Sequence, residues 1–286
     1  GGGGGGGGFG FPFPGMGGGS GGGGGMSFPG GGKMGGGLLG IIVVLAAIFL
    51  PKLMGSSATQ SASAVPPSAG SDQCVTEIEQ VICGANESVQ DYWAQALPRF
   101  YNTTYQSTSI VWFTGSVDTA CGQATSQVGP FYCPADNLVY IDLDFMQQLE
   151  NQLVGTTSDL AEQYIIAHEF GHHIQNILGF NAQVQRAQQS DPGRANQYSV
   201  ALELQADCYA GVWVGANDVL ENEAELQEAL DAAEGVGDDR IQQKTQGRID
   251  PESWTHGSAE QRRSWFLQGY NSLDPTTCDA TFNEIR

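Results

Sequence analysis

Positive charge is scarce in this chain: 11 lysines and arginines stand against 31 aspartates and glutamates over 286 residues, a formal net charge of −20. Phosphate backbones are bound by basic faces, so a nucleic-acid partner is excluded. Acidity of this order reads as a solvated surface. Histidine is scarcer still: there are four, and three of them fall between positions 168 and 173. No two cysteines form a Cys-x-x-Cys pair and no second histidine cluster exists, which argues against a structural zinc site. No internal repeat is apparent.

What is abundant is glycine, and it is unevenly spread. Residues 1–37 are almost entirely Gly, with scattered Phe, Pro, Met and Ser and one charge, Lys33. Such a tract cannot bury enough apolar surface to offset its ordering entropy, so disorder is expected. The apolar run Leu38 to Leu50 follows. Its thirteen residues give about 20 Å of helix, short of a hydrocarbon core of ~30 Å. Extending it from Gly36 to Met54, with Lys52 snorkelling, gives about 28 Å, enough for one membrane helix over 38–54. Cleavage as a signal peptide would need small residues close behind the run, and Ala62-Ser63-Ala64 lie too far away. Residues 55–71 are rich in Ser, Ala and Pro and read as a linker. All 31 acidic residues lie in 72–286, which is long enough for one ordinary core.

One lysine flanks each side of the apolar run, so charge does not orient it. The six cysteines do: an even count after a membrane segment fits disulfides in an extracytoplasmic, oxidising compartment at the cell membrane. Fifteen pairings exist in principle. Short separation favours Cys74–Cys83 and Cys121–Cys133, which leaves Cys208–Cys278.

Along the domain, a helix is expected from Glu87 to Ala96, ending before Pro98. Ile110–Phe113, Pro130–Cys133 and Leu138–Leu143 read as strands, the last two joined by the turn Pro134-Ala135-Asp136-Asn137. A long helix should run from Asp159 to Leu178, opened by Asp159 and Glu162 as a capping box and closed by Gly179. A second should run from about Ala195 to Ala216. Residues 221–246 predict one or two exposed helices, and Ser258 with Gln261 caps a last one reaching about Tyr270. Strands precede helices, which predicts an α+β fold with a small antiparallel or mixed sheet.

The chemistry centres on His168-Glu169-Phe170-Gly171-His172. Histidines four apart on a helix share one face and can share one zinc ion. Given this composition, chance would produce about 0.003 such His-Glu-x-x-His matches, so the motif carries information. Glu169 stands beside the pair, where it can act as general base on a zinc-bound water. A catalytic zinc needs a third protein ligand. A third histidine six residues after the second is absent, because Leu178 occupies that position. His173 points about 100° away from His172 and reads as packing or support. Glu203 and Asp207 are again four apart, on the second long helix. Glu203 would complete a His₂Glu set, and Asp207 would fix the tautomer of one histidine. His256, in a loop just before a helix, is a candidate donor to the oxyanion of a tetrahedral intermediate.

These residues lie in stretches that resemble a known group, the neutral zinc metallopeptidase family of bacterial membrane-anchored proteins. The stretches are Gly129 to Asp136, Val139 to Leu143, His168 to Gln175, Leu202 to Trp213, and Thr255 to Ser258 with Glu260-Gln261-Arg262. The glycine-rich N-terminus and single hydrophobic segment also look like that family. The resemblance implies a zincin-like domain with a glutamate third ligand, as in gluzincins. Glu203 follows His172 by 31 positions, a longer connection than in thermolysin-type enzymes. The expected activity is hydrolysis of peptide bonds, with one catalytic zinc and a peptide or protein substrate. The rival readings are a zinc amidase acting on cell-wall peptides and a non-proteolytic, zinc-stabilised interaction protein anchored in the membrane.

Overall fold

The computed structural model describes residues 74–125, 128–152, 159–217, 220, 223–235, 237–239 and 249–285. The glycine-rich tract 1–37, the proposed membrane helix 38–54 and the linker 55–71 lie outside them. Among the described residues, no helix is long and apolar enough to cross a membrane.

The first helix, α1 (Glu77–Tyr101), is far longer than the 87–96 expected. Thr76 and Glu79 form a capping box at its start, and the Cys74–Cys83 disulfide ties down its first turns. Pro98 lies inside rather than beyond it. So near the end, proline removes little backbone bonding, and the buried stripe Ile82, Val89, Trp93 and Leu97 continues to it. Asn102 closes the helix in the left-handed conformation, φ 49°.

Five short strands follow: β1 (Ile110–Phe113), β2 (Ser116–Thr119), β3 (Gly122–Thr125), β4 (Phe131–Cys133) and β5 (Leu138–Asp142). β1, β5 and β4 form a mixed sheet in that order, β5 running parallel to β1 and antiparallel to β4. Tyr132 of β4 is therefore opposite Val139 of β5, and β4 is an edge strand. β2 and β3 make a separate hairpin that the sequence reading missed; Cys121–Cys133 staples it to β4.

The remainder is helical: α2 (Leu143–Gln152), α3 (Leu160–Leu178), α4 (Phe180–Ser190), α5 (Ala195–Ala216), α6 (Glu223–Gly235), α7 (Ala259–Ser272) and a 3₁₀ tail, Pro275–Ile285. α3 ends at Gly179, φ +80°, as expected, but Asp159 makes no side-chain cap and Glu162 is buried. α5 occupies the expected span, and Ser258 and Gln261 form the expected box at α7. α6 is not merely an exposed helix, since Ala229, Leu230 and Ala233 enter the core.

α5 is buried on every face from Ala201 to Val214, as befits the central helix of a layered domain. α3 packs on one side of it and α7 on another. A Cβ at Gly211 would overlap the Phe266 carbonyl, and one at Gly269 would overlap the Cys208 carbonyl, so α5 and α7 touch backbone to backbone. The Cys208–Cys278 disulfide joins α5 to the tail. All three expected cysteine pairs are formed. The architecture is α+β, mostly helical, with a small mixed sheet beside α3.

Candidate metal centre

His168 and His172 project from one face of α3, as their spacing requires. Gly171 lies on the same face, and a Cβ there would be 2.9 Å from the Ala206 Cα. Its absence lets α5 come close enough for Glu203 to meet both imidazoles. His168 Nε2 is 3.3 Å from Glu203 Oε2, and His172 Nε2 is 3.5 Å from Glu203 Oε1. Two donors about 2.05 Å from a shared tetrahedral zinc stand roughly 3.4 Å apart, and the two imidazole–carboxylate spacings, one to each Glu203 oxygen, fit that ion. Among the described residues this is the one cluster of three metal-ligating side chains, its donor atoms within 4.8 Å of one another.

Each histidine is oriented from behind. His168 Nδ1 lies 2.8 Å from Asp207 Oδ1, and His172 Nδ1 lies 2.9 Å from Gln175 Oε1. Gln175 in turn donates from Nε2 to the Leu202 carbonyl at 2.6 Å, which fixes which end of the amide faces His172. Both rings therefore donate through Nδ1–H and turn their Nε2 atoms to the centre.

Asp207 is completely buried and held by four contacts. Tyr164 OH donates at 2.5 Å, and Arg262 forks onto it with Nε–Oδ2 and Nη2–Oδ1 distances of 2.7 Å each. Burial opposes its charge, yet Arg262 and His168 hold the carboxyl below the usual aspartate range. Burial also opposes charge on Glu203, and His172 and His168 pull that carboxyl strongly down. Burial disfavours an imidazolium at His168, but Asp207 and Glu203 outweigh it and raise its pKa to about 10.

Glu169 is buried beside the ligands without being one of them, and the Tyr132 backbone N–H donates to it. Burial pushes its carboxyl up, against the pull of His172 and His168. A carboxyl raised in this direction is a better proton acceptor than a free glutamate. His173 turns away as expected: Nδ1 is 3.1 Å from Tyr132 OH and Nε2 is 2.6 Å from the Gln106 carbonyl. It ties α3 to the sheet and takes no part in the donor triangle.

His256 lies in a loop pressed on α5, where a Cβ at Gly257 would be 3.2 Å from Val200 and 3.3 Å from Leu204. It lies within electrostatic reach of Glu203. Asp238, which the sequence reading did not single out, holds this loop. Its Oδ2 accepts from the backbone N–H groups of Thr255, His256 and Gly257 at 2.7, 2.6 and 3.2 Å, and its Oδ1 lies 3.2 Å from His256 Nδ1. Asp238, Arg262, Tyr164 and Gln175 are the contributors that sequence reasoning missed. Only Gln175, one turn after His172, had a local cue.

The family described as "Putative neutral zinc metallopeptidase" matches residues 14–282. Similar proteins include the uncharacterized protein YpfJ of Escherichia coli strain K12, 43% identical over 253 residues, covering 85% of this chain and 86% of that protein. Another is the uncharacterized protein Rv2575 of Mycobacterium tuberculosis strain H37Rv, 45% identical over 210 residues, 69% of each chain. No solved structure matches. With its donor triangle and a family match across nearly the whole sequence, the chain belongs to this family of neutral zinc metallopeptidases.

Proposed function

We propose that the protein hydrolyses peptide bonds at a zinc ion held by His168, His172 and Glu203. The observation that carries this reading is the donor cluster, each imidazole 3.3 or 3.5 Å from one Glu203 oxygen, with the buried carboxyl of Glu169 alongside. A zinc ion held there would polarise a substrate carbonyl and acidify a water molecule. Glu169 takes the proton from the attacking water and returns it to the leaving amine, a role that its raised pKa suits. Asp238 orients the His256 ring through Nδ1, and a ring that also carries a proton on Nε2 would donate from there to a developing oxyanion. Edge strand β4 runs beside Glu169, and an extended peptide paired along it would bring its carbonyl to the ligands.

The three disulfides support a domain working in an oxidising, extracytoplasmic compartment, and the apolar run 38–54 supports a single membrane anchor. The decisive test is digestion of a denatured protein and an unbiased peptide library by the zinc-loaded full chain. Glu169→Gln should retain zinc and lose about 10²–10⁴-fold in kcat, the usual share of general acid–base catalysis. Equal cleavage by both forms removes the peptidase reading.

A further inference from the structure

The Asp207 carboxylate is completely buried, and its principal partner comes from a remote element. Asp207 is one helical turn beyond Glu203 on α5, so both carboxylates face α3. Arg262 is on α7, buried to 3% exposure, and reaches Asp207 side-on with two 2.7 Å hydrogen bonds. A fork of this kind fixes the plane of a carboxylate as well as its position. The same Nη2 touches Tyr164 OH at 3.2 Å and stands 3.4 Å from His168 Nδ1. Arg262, Tyr164 and Asp207 therefore enclose the back edge of the His168 ring.

The helix crossing makes this possible. Asp207 and Gly211 on α5 meet Arg262 and Phe266 on α7, each pair 55 positions apart, so the two helices run in the same direction. Gly269 brings the backbones together two turns after Arg262, on the same face of α7. A guanidinium on a helix packed that closely has little freedom, and neither has the carboxylate it grips.

Charge completes the argument. Arg262 offsets part of the Asp207 charge, so His168 receives an oriented acceptor with less net negative charge behind it. Glu203 is then the uncompensated anion of the donor set, and the centre stays net positive when it holds a divalent ion. Without Arg262, Asp207 would be a buried carboxylate lacking its counter-ion, free to turn off the ring.

We infer that Arg262 is a positioning residue of the metal centre, acting on the ion through Asp207 and His168. The inference rests on the metal centre proposed above. The test uses the full chain, with zinc affinity measured by competition against a chromophoric chelator and with the visible spectrum of the cobalt-substituted protein. Arg262→Gln should lower zinc affinity by about 10–100-fold and change the cobalt bands. Arg262→Lys, which restores charge but not the fork, should recover part of the loss. Asp207→Asn combined with Arg262→Gln should bind zinc about as weakly as Asp207→Asn alone, and this pair removes the buried charges together should Arg262→Gln misfold. Wild-type affinity and spectrum in Arg262→Gln overturn the inference, as does a change confined to the melting temperature of the metal-free protein. Additive losses in the double variant overturn it too. A wild-type chain that takes up no stoichiometric zinc overturns the metal centre itself.

Discussion

Replacing Gly171 by alanine tests whether helix approach, rather than ligand identity alone, makes the donor triangle. The added Cβ would stand 2.9 Å from Ala206 Cα and 3.1 Å from the Ala206 Cβ and carbonyl oxygen. Normal carbon–carbon contact lies at about 3.5–4.0 Å, so α3 and α5 must part locally by roughly 0.5–1 Å. The obstacle is backbone, which cannot swing aside. Metal sites tolerate errors of only about 0.2 Å in ligand distance, whereas the 3.3 and 3.5 Å edges would lengthen by more. Overpacking of this kind costs about 1–3 kcal/mol. The metal-free protein can relax it by letting the helices separate, and alanine's better helix propensity, worth about 1 kcal/mol, offsets what remains. The loaded protein must close the gap, so the strain appears as lost affinity, about 5–150-fold. Chelator competition measures that loss, with thermal melts of the metal-free form beside it. Gly84→Ala in α1, where a Cβ meets nothing within 4 Å, is the control and should leave zinc binding unchanged. Zinc affinity within twofold of wild type for Gly171→Ala would refute the close-approach argument.

Other outcomes follow from the same geometry. His168→Ala, His172→Ala and Glu203→Ala should each lose stoichiometric zinc by elemental analysis. His173→Ala should keep it while losing about 1–3 kcal/mol in denaturant melts, because Tyr132 OH and the Gln106 carbonyl lose their buried partner. In the metal-free protein the raised pKa of His168 contributes stability that is fully present below pH 6.5 and lost as pH rises through about 10. Zinc must displace that proton, so its affinity should climb with pH through the same window and binding at pH 7 should release protons. Calorimetry in buffers of different ionisation enthalpy reads the release, and a value of zero contradicts the assignment. Cys208→Ser with Cys278→Ser opens a 70-residue loop and should cost about 4 kcal/mol by the chain-entropy relation. Alkylation before and after reduction should find six thiols only after reduction.

Features encoded by helical period were legible in the sequence. The four-residue spacings His168–His172 and Glu203–Asp207 place each pair on one face without reference to the rest of the molecule, and α5 occupies the span its pattern predicts. Features set by competition between elements were not. Pro98 read as a helix end, yet the buried stripe ending at Leu97 carries α1 past it to Tyr101. Asp159 and Glu162 looked like a capping box, but the Asp159 side chain makes no cap hydrogen bond and Glu162 is buried. The β2–β3 hairpin was invisible because Asp118, Gly122 and Gln123 are exposed and leave little alternation to recognise. The same division runs through the site. Gln175 supports His172 from three residues away, within reach of a local reading. Asp238 and Arg262 act across 18 and 55 positions through pairings that no local period encodes. Their cue, where one exists, is indirect. Gly211, Gly215 and Gly269 look like weak helix residues, yet each is a point where α5 and α7 meet with no room for a side chain. Glycines that cost helix propensity at three such positions are explained by the contact they permit, and that contact carries Arg262 to Asp207 and, through it, to the ring of His168.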